Sequence, residues 1–257
     1  MILALDAGNT HIVIGIFSGE TLIFKCRIST DTTATEDEYA ATIFNLFHRE
    51  KINAKDIKEI IVSSVVPSLT YIFNKFSLKY MNKNALIIGP GIKTGLSVKF
   101  ENPKEIGADR IANSVAAINL YGSPAIIVDF GTATTFDIID AQQEYIGGII
   151  APGILMSIQL LHTKTAKLPE VEVEQCSYVV GKNTTQSIKS GIFHGYLSMI
   201  DGIIEKILKE QEFATENTFT ISTGGLGNLF MEDSRYLKCY APHLTLDGLR
   251  IIYEKNI

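Results

Sequence analysis

Two aspartates close short apolar runs in the same manner. The first run is Ile2 to Asp6, followed by Ala7, Gly8, Asn9 and Thr10; the second is Ala125 to Asp129, followed by Phe130, Gly131, Thr132, Ala133 and Thr134. A carboxylate at the end of a buried strand is desolvated unless something pairs it. Hydrated Mg2+ suits that position, because it prefers oxygen ligands and keeps several waters. Glycine lets the backbone turn sharply and approach a ligand closely. The N–H groups of such a turn, with the Asn9 and Thr10 side chains, can hold phosphate oxygens. Asp and Gly are also ordinary turn residues, and for one copy the plain turn is the simpler reading. Two copies, each opening its own half of the chain, reverse that judgement.

A third constellation is Gly107-Ala108-Asp109-Arg110, at the start of a run with helical periodicity. Asp109 can take a proton from a hydroxyl as that hydroxyl attacks phosphorus. Arg110 offers a planar fork to a carboxylate or phosphate, and a helix N-terminus favours an anion. Asp is equally at home in any first helical turn, so this motif gains meaning only beside the other two.

The elements that must position these residues repeat. After each Asp-x-Gly turn comes a second strand, then a polar turn, then a third strand ending near Arg27 and Ile150 respectively. Apolar β-branched runs separated by polar clusters with Gly are hairpin signals. Thr35 to Glu38 forms a capping box that opens a helix, and Pro67 suits the first position of the next one. Strands are expected at 60–64, 85–88 and 219–222. Helices are expected at 108–120, 154–162, from 183 or 184 to about 209, and at 247–255. Strands alternating with helices indicate an α/β class. Gly122 and Pro124 mark a boundary, so the expected halves are 1–122 and 123–257. Two facing halves would leave a cleft, a favoured ligand site.

The 257 residues suffice for one large or two modest domains. With 46% hydrophobic residues the chain is a globular one, not a disordered one. The net charge of -5 shows no basic surplus of the kind nucleic-acid binders carry. Cys26, Cys176 and Cys239 are far apart and odd in number, which fits a reducing compartment. The histidines, His162 and His194 included, show no metal-ligand spacing. The first residues do not read as a signal peptide, and no apolar run would span a bilayer. A soluble cytoplasmic protein without nucleic acid or membrane as partner is expected.

The Walker pattern and GxGxxG are both absent, so nucleotide binding must rest on the paired turns. That arrangement resembles the actin, heat-shock ATPase and sugar-kinase superfamily. More closely, the order of motifs resembles type III pantothenate kinases nearly end to end. Asp6 to Thr10 looks like the first phosphate hairpin of that family, Gly107 to Arg110 its substrate motif, and Asp129 to Thr134 its second hairpin. Gly147-Gly148, Ala151-Pro152-Gly153, Leu168-Pro169, Gly181 to Thr184 and Gly224-Gly225 fall where the family has similar residues.

The resemblance implies two lobes of the actin-like ATPase, ribonuclease H-like, fold with a nucleotide cleft between them. It implies ATP-dependent phosphorylation of pantothenate to 4′-phosphopantothenate, the first committed step toward coenzyme A. Asp109 would be the general base. Gly107, Ala108, Asp109 and Arg110 would contact pantothenate, as would Phe100, at a position where the family usually has tyrosine. Asp6, Ala7, Gly8, Asn9, Thr10, His11, Ile12 and Val13, with Thr132, would bind ATP. Asp6 would hold Mg2+, directly or through water, and Asp129 a potassium or ammonium ion. Thr184 would reach the substrate from the other subunit of a homodimer. Gly191, Gly195 and Gly202 on the long helix would lie at a subunit contact.

Two alternatives keep the fold. An ATP-driven conformational switch would not need Asp109, Arg110 and Thr184. A kinase for another hydroxylated metabolite, such as a sugar, has Phe100 as its only support.

Overall fold

The computed structural model describes residues 1–257. The elements in chain order are β1 (Ile2–Ala7), β2 (His11–Ser18), β3 (Thr21–Ser29), α1 (Glu36–Arg49), β4 (Glu59–Ser64), α2 (Pro67–Met81), β5 (Leu86–Ile87), β6 (Ser97–Val98) and α3 (Ala108–Leu120). They continue with β7 (Ala125–Phe130), β8 (Ala133–Ile139), β9 (Glu144–Pro152), α4 (Ile154–Thr163), α5 (Thr184–Glu210), β10 (Phe219–Gly224), β11 (Cys239–Tyr240) and α6 (Leu244–Glu254). The helices expected at 108–120, 154–162 and 184–209 are present within a residue of those bounds. The strand expected at 85–88 shrinks to two residues, and the last helix begins three residues early, at Leu244.

The chain forms two compact units, one of residues 1–96, 101–116 and 244–257, the other of residues 97–100 and 117–243. The first contains a sheet of order β3-β2-β1-β4-β5; the second contains β11-β10-β7-β8-β9-β6. In the first, β1 runs antiparallel to β2 and parallel to β4. In the second, β7 runs antiparallel to β8 and parallel to β10. The internal echo in the sequence is therefore an echo in space. Each central strand has a hairpin partner on one side and a parallel strand on the other, and β6 is an extra edge strand.

Alternation along the strands divides the first unit's interior. Leu3, Leu5, Ile12 and Ile14 face one side and pack with Tyr39, Ile43 and Phe47 of α1 and Leu69, Phe73 and Phe76 of α2. Both helices start where their sequences say. The Thr35 and Glu38 side chains form the reciprocal capping box of α1, and Pro67 opens α2. The opposite side, with Ala4, Phe17 and Ile61, is covered by Ala112 and Val115 of α3 and by Leu246, Leu249 and Ile252 of α6. The C-terminal helix thus belongs to the first unit.

In the second unit, Ile126, Val128, Phe130, Phe136 and Ile138 pack against Ile154 and Ile158 of α4 and Ile188, Ile192 and Phe193 of α5. Phe230 is stacked between Phe130 and Phe193, with ring centroids 5.4 and 5.5 Å apart.

Helix α6 sits so close to α3 that a Cβ on Gly248 would lie 2.9 Å from Ala112 Cα and nearer still to its carbonyl. Backbone cannot yield as a flexible side chain can. Gly248→Ala is expected to destabilise the protein by roughly 1–3 kcal/mol, the usual cost of overpacking. Thermal and urea melts of the variant check this; a melting curve unchanged from wild type would contradict the packing.

Candidate active site

Strand β1 carries Asp6 to one residue short of its end. Asp6 lies opposite Val13 on β2 and Ser63 on β4. The turn that follows closes with a hydrogen bond of 3.0 Å from Gly8 N–H to the His11 carbonyl. A Cβ on Gly8 would stand 3.1 Å from that same oxygen, so the closure favours glycine. Thr30, just past β3, holds the turn from the third strand. Its hydroxyl donates to the Gly8 carbonyl at 2.7 Å, and its N–H donates to the Thr10 carbonyl at 3.0 Å. Asn9 and Thr10 are left exposed on a turn fixed at both ends. Ala7 and Ile12 are fully buried and can offer a ligand only their backbone. Burial, and then the positive charge of Arg27, lower the His11 pKa, so its imidazole is neutral at neutral pH.

Helix α3 begins directly after Gly107. The Asp109 carboxylate folds back to accept the Arg110 N–H at 2.8 Å. One of its oxygens occupies the place that a Cβ on Gly107 would need, with Val65 Cγ1 3.4 Å from the same point. Val65 in turn donates its N–H to the Ala7 carbonyl at 3.1 Å. One residue following β4 therefore touches both the first turn and the Asp109 segment, and so brings two separately expected motifs into one site. Burial raises the Asp109 pKa, against the lowering effect of the Arg110 N–H and guanidinium. A carboxylate with a raised pKa is a stronger base for as long as it remains ionised.

The second turn repeats the first with one residue fewer. Asp129 lies opposite Thr135 on β8 and Thr223 on β10. Gly131 N–H donates to the Ala133 carbonyl at 3.1 Å, leaving Gly131 and Thr132 exposed. Two other glycines crowd it. Gly224, at φ +84°, lies where a Cβ would be 2.6 Å from an Asp129 carboxylate oxygen and from the Phe130 carbonyl. A Cβ on Gly153 would collide with the Thr132 carbonyl.

The remaining expected residues lie elsewhere in the second unit. Phe100 follows β6, and its ring meets Tyr145 edge-on at 6.2 Å. The Tyr145 hydroxyl donates to buried Asp137 at 2.9 Å. Thr184 is the first residue of α5, behind an Asn183 N-cap that accepts the Gln186 N–H at 2.9 Å. His162 and His194 each bond a backbone carbonyl, Leu168 O at 2.9 Å and Tyr178 O at 3.0 Å. Thr30 and Val65 carry no signal in the sequence, since their part is played through contacts with distant strands.

No three His, Cys, Asp or Glu side chains cluster to hold a metal. A single carboxylate beside a phosphate-sized turn nevertheless fits Mg2+, which typically takes one or two carboxylates and completes its shell with substrate phosphates and water. Asp6 has those surroundings.

Comparison with known proteins bears on what this geometry serves. The sequence pattern of the type III pantothenate kinase family matches residues 2–206. A type III pantothenate kinase of Exiguobacterium sibiricum is 47% identical over 256 residues, covering all of both chains. Among solved structures, a Baf family transcriptional activator from Campylobacter jejuni superposes with a TM-score of 0.61 at 20% identity, over 99% of this chain and 98% of that one. The activator of 2-hydroxyisocaproyl-CoA dehydratase from Clostridium difficile, solved with bound ADPNP, superposes with a TM-score of 0.54 at 11% identity, over 98% and 93%. At such identities the structural likeness shows the fold alone, that of the actin-like ATPases and sugar kinases. The sequence likeness shows more: with its duplicated Asp-Gly turns and full-length match, the chain belongs to the type III pantothenate kinase family, and it is a kinase.

Proposed function

We propose that this kinase transfers the γ-phosphoryl group of ATP to the primary hydroxyl of pantothenate, giving 4′-phosphopantothenate and ADP. The observation that carries the reading is the 47% identity to a type III pantothenate kinase along the whole chain. The turns at Gly8 and Gly131 bind the phosphates through backbone N–H groups and through Asn9, Thr10 and Thr132. When bound, Mg2+ at Asp6 and potassium or ammonium at Asp129 offset phosphate charge. Asp109 receives the hydroxyl proton, and Arg110 and the start of α3 receive the pantothenate carboxylate. Phe100 supplies an apolar wall without the hydroxyl of a tyrosine. Positioning and electrostatics carry most of the work in phosphoryl transfer, which suits a site built from turns and one base.

The working assembly in this reading is a homodimer in which Thr184 reaches the partner's substrate. Helix α5 supports it. Glycine is costly inside a helix, yet a Cβ on Gly191 or Gly195 would meet nothing within 4 Å. Exposed Val179 and Val180 line the same surface pocket as these two glycines. A groove of about 370 Å³ runs there between Leu161, Thr184 and Ile188. Sedimentation velocity at micromolar concentration is expected to show a dimer. A monomer whose Thr184→Ala variant keeps full turnover would overturn the assembly.

Asp109 yields a test with two readouts. Its pKa is raised in the folded state, so the folded state binds more protons than the unfolded one above the ordinary Asp value. Stability linked to this group therefore falls as pH rises through that window. Removing the charge should relieve the cost: Asp109→Asn is expected to melt higher than wild type at neutral pH, with the difference vanishing near about pH 3. Its turnover should drop by roughly 10²–10⁴, the usual worth of a general base. ADP release with ATP, Mg2+ and pantothenate should be pantothenate-dependent in potassium buffer and collapse in sodium. A stable Asp109→Asn protein with near-normal turnover would remove Asp109 from the role. Folded wild type without pantothenate-dependent turnover in potassium or ammonium would remove the substrate.

A further inference from the structure

Helix α4 starts without the usual help. Its N-cap is Gly153, which makes no side-chain hydrogen bond, whereas Ser, Thr, Asp or Asn is the common choice there. The reason is steric. A Cβ at 153 would run into the Thr132 carbonyl and lie 2.8 Å from the Gly131 carbonyl. The exposed Gly131-Thr132 turn rests directly on the Gly153 backbone, so anything that moves Gly153 moves the turn.

What holds Gly153 comes from α5. The Tyr196 hydroxyl donates to the Pro152 carbonyl at 3.0 Å and lies 2.6 Å from Ser157 Oγ. Tyrosine has one hydroxyl proton. Because it goes to Pro152, Ser157 must donate to the Tyr196 oxygen. The ring thus grips the last residue of β9 and the first turn of α4, one on each side of Gly153. Pro152 lies directly across from Ala133, whose carbonyl closes the turn by accepting the Gly131 N–H at 3.1 Å. Ser157 N–H completes the clamp by donating to the Gly153 carbonyl at 2.9 Å. A phenylalanine at 196 would give the same packing without the grip.

We infer that Tyr196 is a positioning residue for nucleotide, holding the Gly131-Thr132 turn in its phosphate-binding shape through Pro152, Ser157 and Gly153. The inference rests on the reading of that turn as part of the ATP site. A positioning role differs from a structural one in what it changes: affinity for one substrate, not the fold or the chemistry as a whole.

The test is steady-state kinetics of Tyr196→Phe, varying ATP at saturating pantothenate and then the reverse, with thermal melts alongside. The expected result is a KM for ATP raised by about tenfold, on the scale of one or two lost hydrogen bonds. The KM for pantothenate and kcat should stay within about twofold, and the melting temperature should change little. Gly153→Ala, which displaces the turn directly, should raise the ATP KM further. An unchanged ATP KM in Tyr196→Phe overturns the inference, as does a parallel loss of kcat, both affinities and melting temperature. Asp129→Asn separates the two ideas. If it weakens ATP while Tyr196→Phe does not, only the role of Tyr196 falls; if it leaves ATP affinity intact, the reading of the turn and this inference fall together.

Discussion

The backbone has to come very close to itself where each central strand ends. At the second turn, Thr132 lies on Gly153, and the Asp129 carboxylate lies on Gly224. At the first, Gly8 closes onto His11, and Asp109 lies on Gly107. A side-chain carbon at 107, 153 or 224 would occupy space already filled, and one at 8 would press on the His11 carbonyl. The Asp129 and Asp109 carboxylates fill room that Gly224 and Gly107 leave clear. The parallel neighbour strand, β4 in one unit and β10 in the other, fixes the far side of each aspartate. Most of the rest of each unit, its helices and its apolar layers, holds those strands in register.

In the role proposed for it, Asp109 sets stability against function. Burial disfavours its ionised form, yet a proton acceptor must be ionised. The sequence places it in the first turn of α3, where helix N–H groups and the Arg110 N–H supply partial compensation. Compensation that is incomplete leaves a stronger base than a solvated aspartate. Folds commonly retain such local costs at working sites.

Much of this was legible in the sequence because it is written locally. The duplicated strand-Asp-x-Gly pattern, the Thr35 to Glu38 capping box and the 108–120 helix each depend on residues only a few positions apart. What was not legible depends on distant partners. β6 and β11 are two residues each and exist only because β9 and β10 offer an edge. The apolar face of α6 shows that the helix is buried but not that it packs with β1 and α3. Thr30 and Val65 look like any β-branched residues near strand ends until their bonds to the first turn are seen. Tyr196 reads as one of two Phe or Tyr residues on α5, since its partner Pro152 is 44 residues away.

The proposed function gives each Asp-Gly turn a part in binding ATP. Calorimetric titration of a non-hydrolysable ATP analogue with Mg2+ tests it most directly, using wild type, Asp6→Asn, Asp129→Asn and the double variant in potassium buffer. The account predicts a stoichiometry of one per chain, weakened binding in each single variant and little measurable binding in the double. Wild-type affinity in either folded single variant would contradict it, because a carboxylate that can be neutralised without effect is not part of the site.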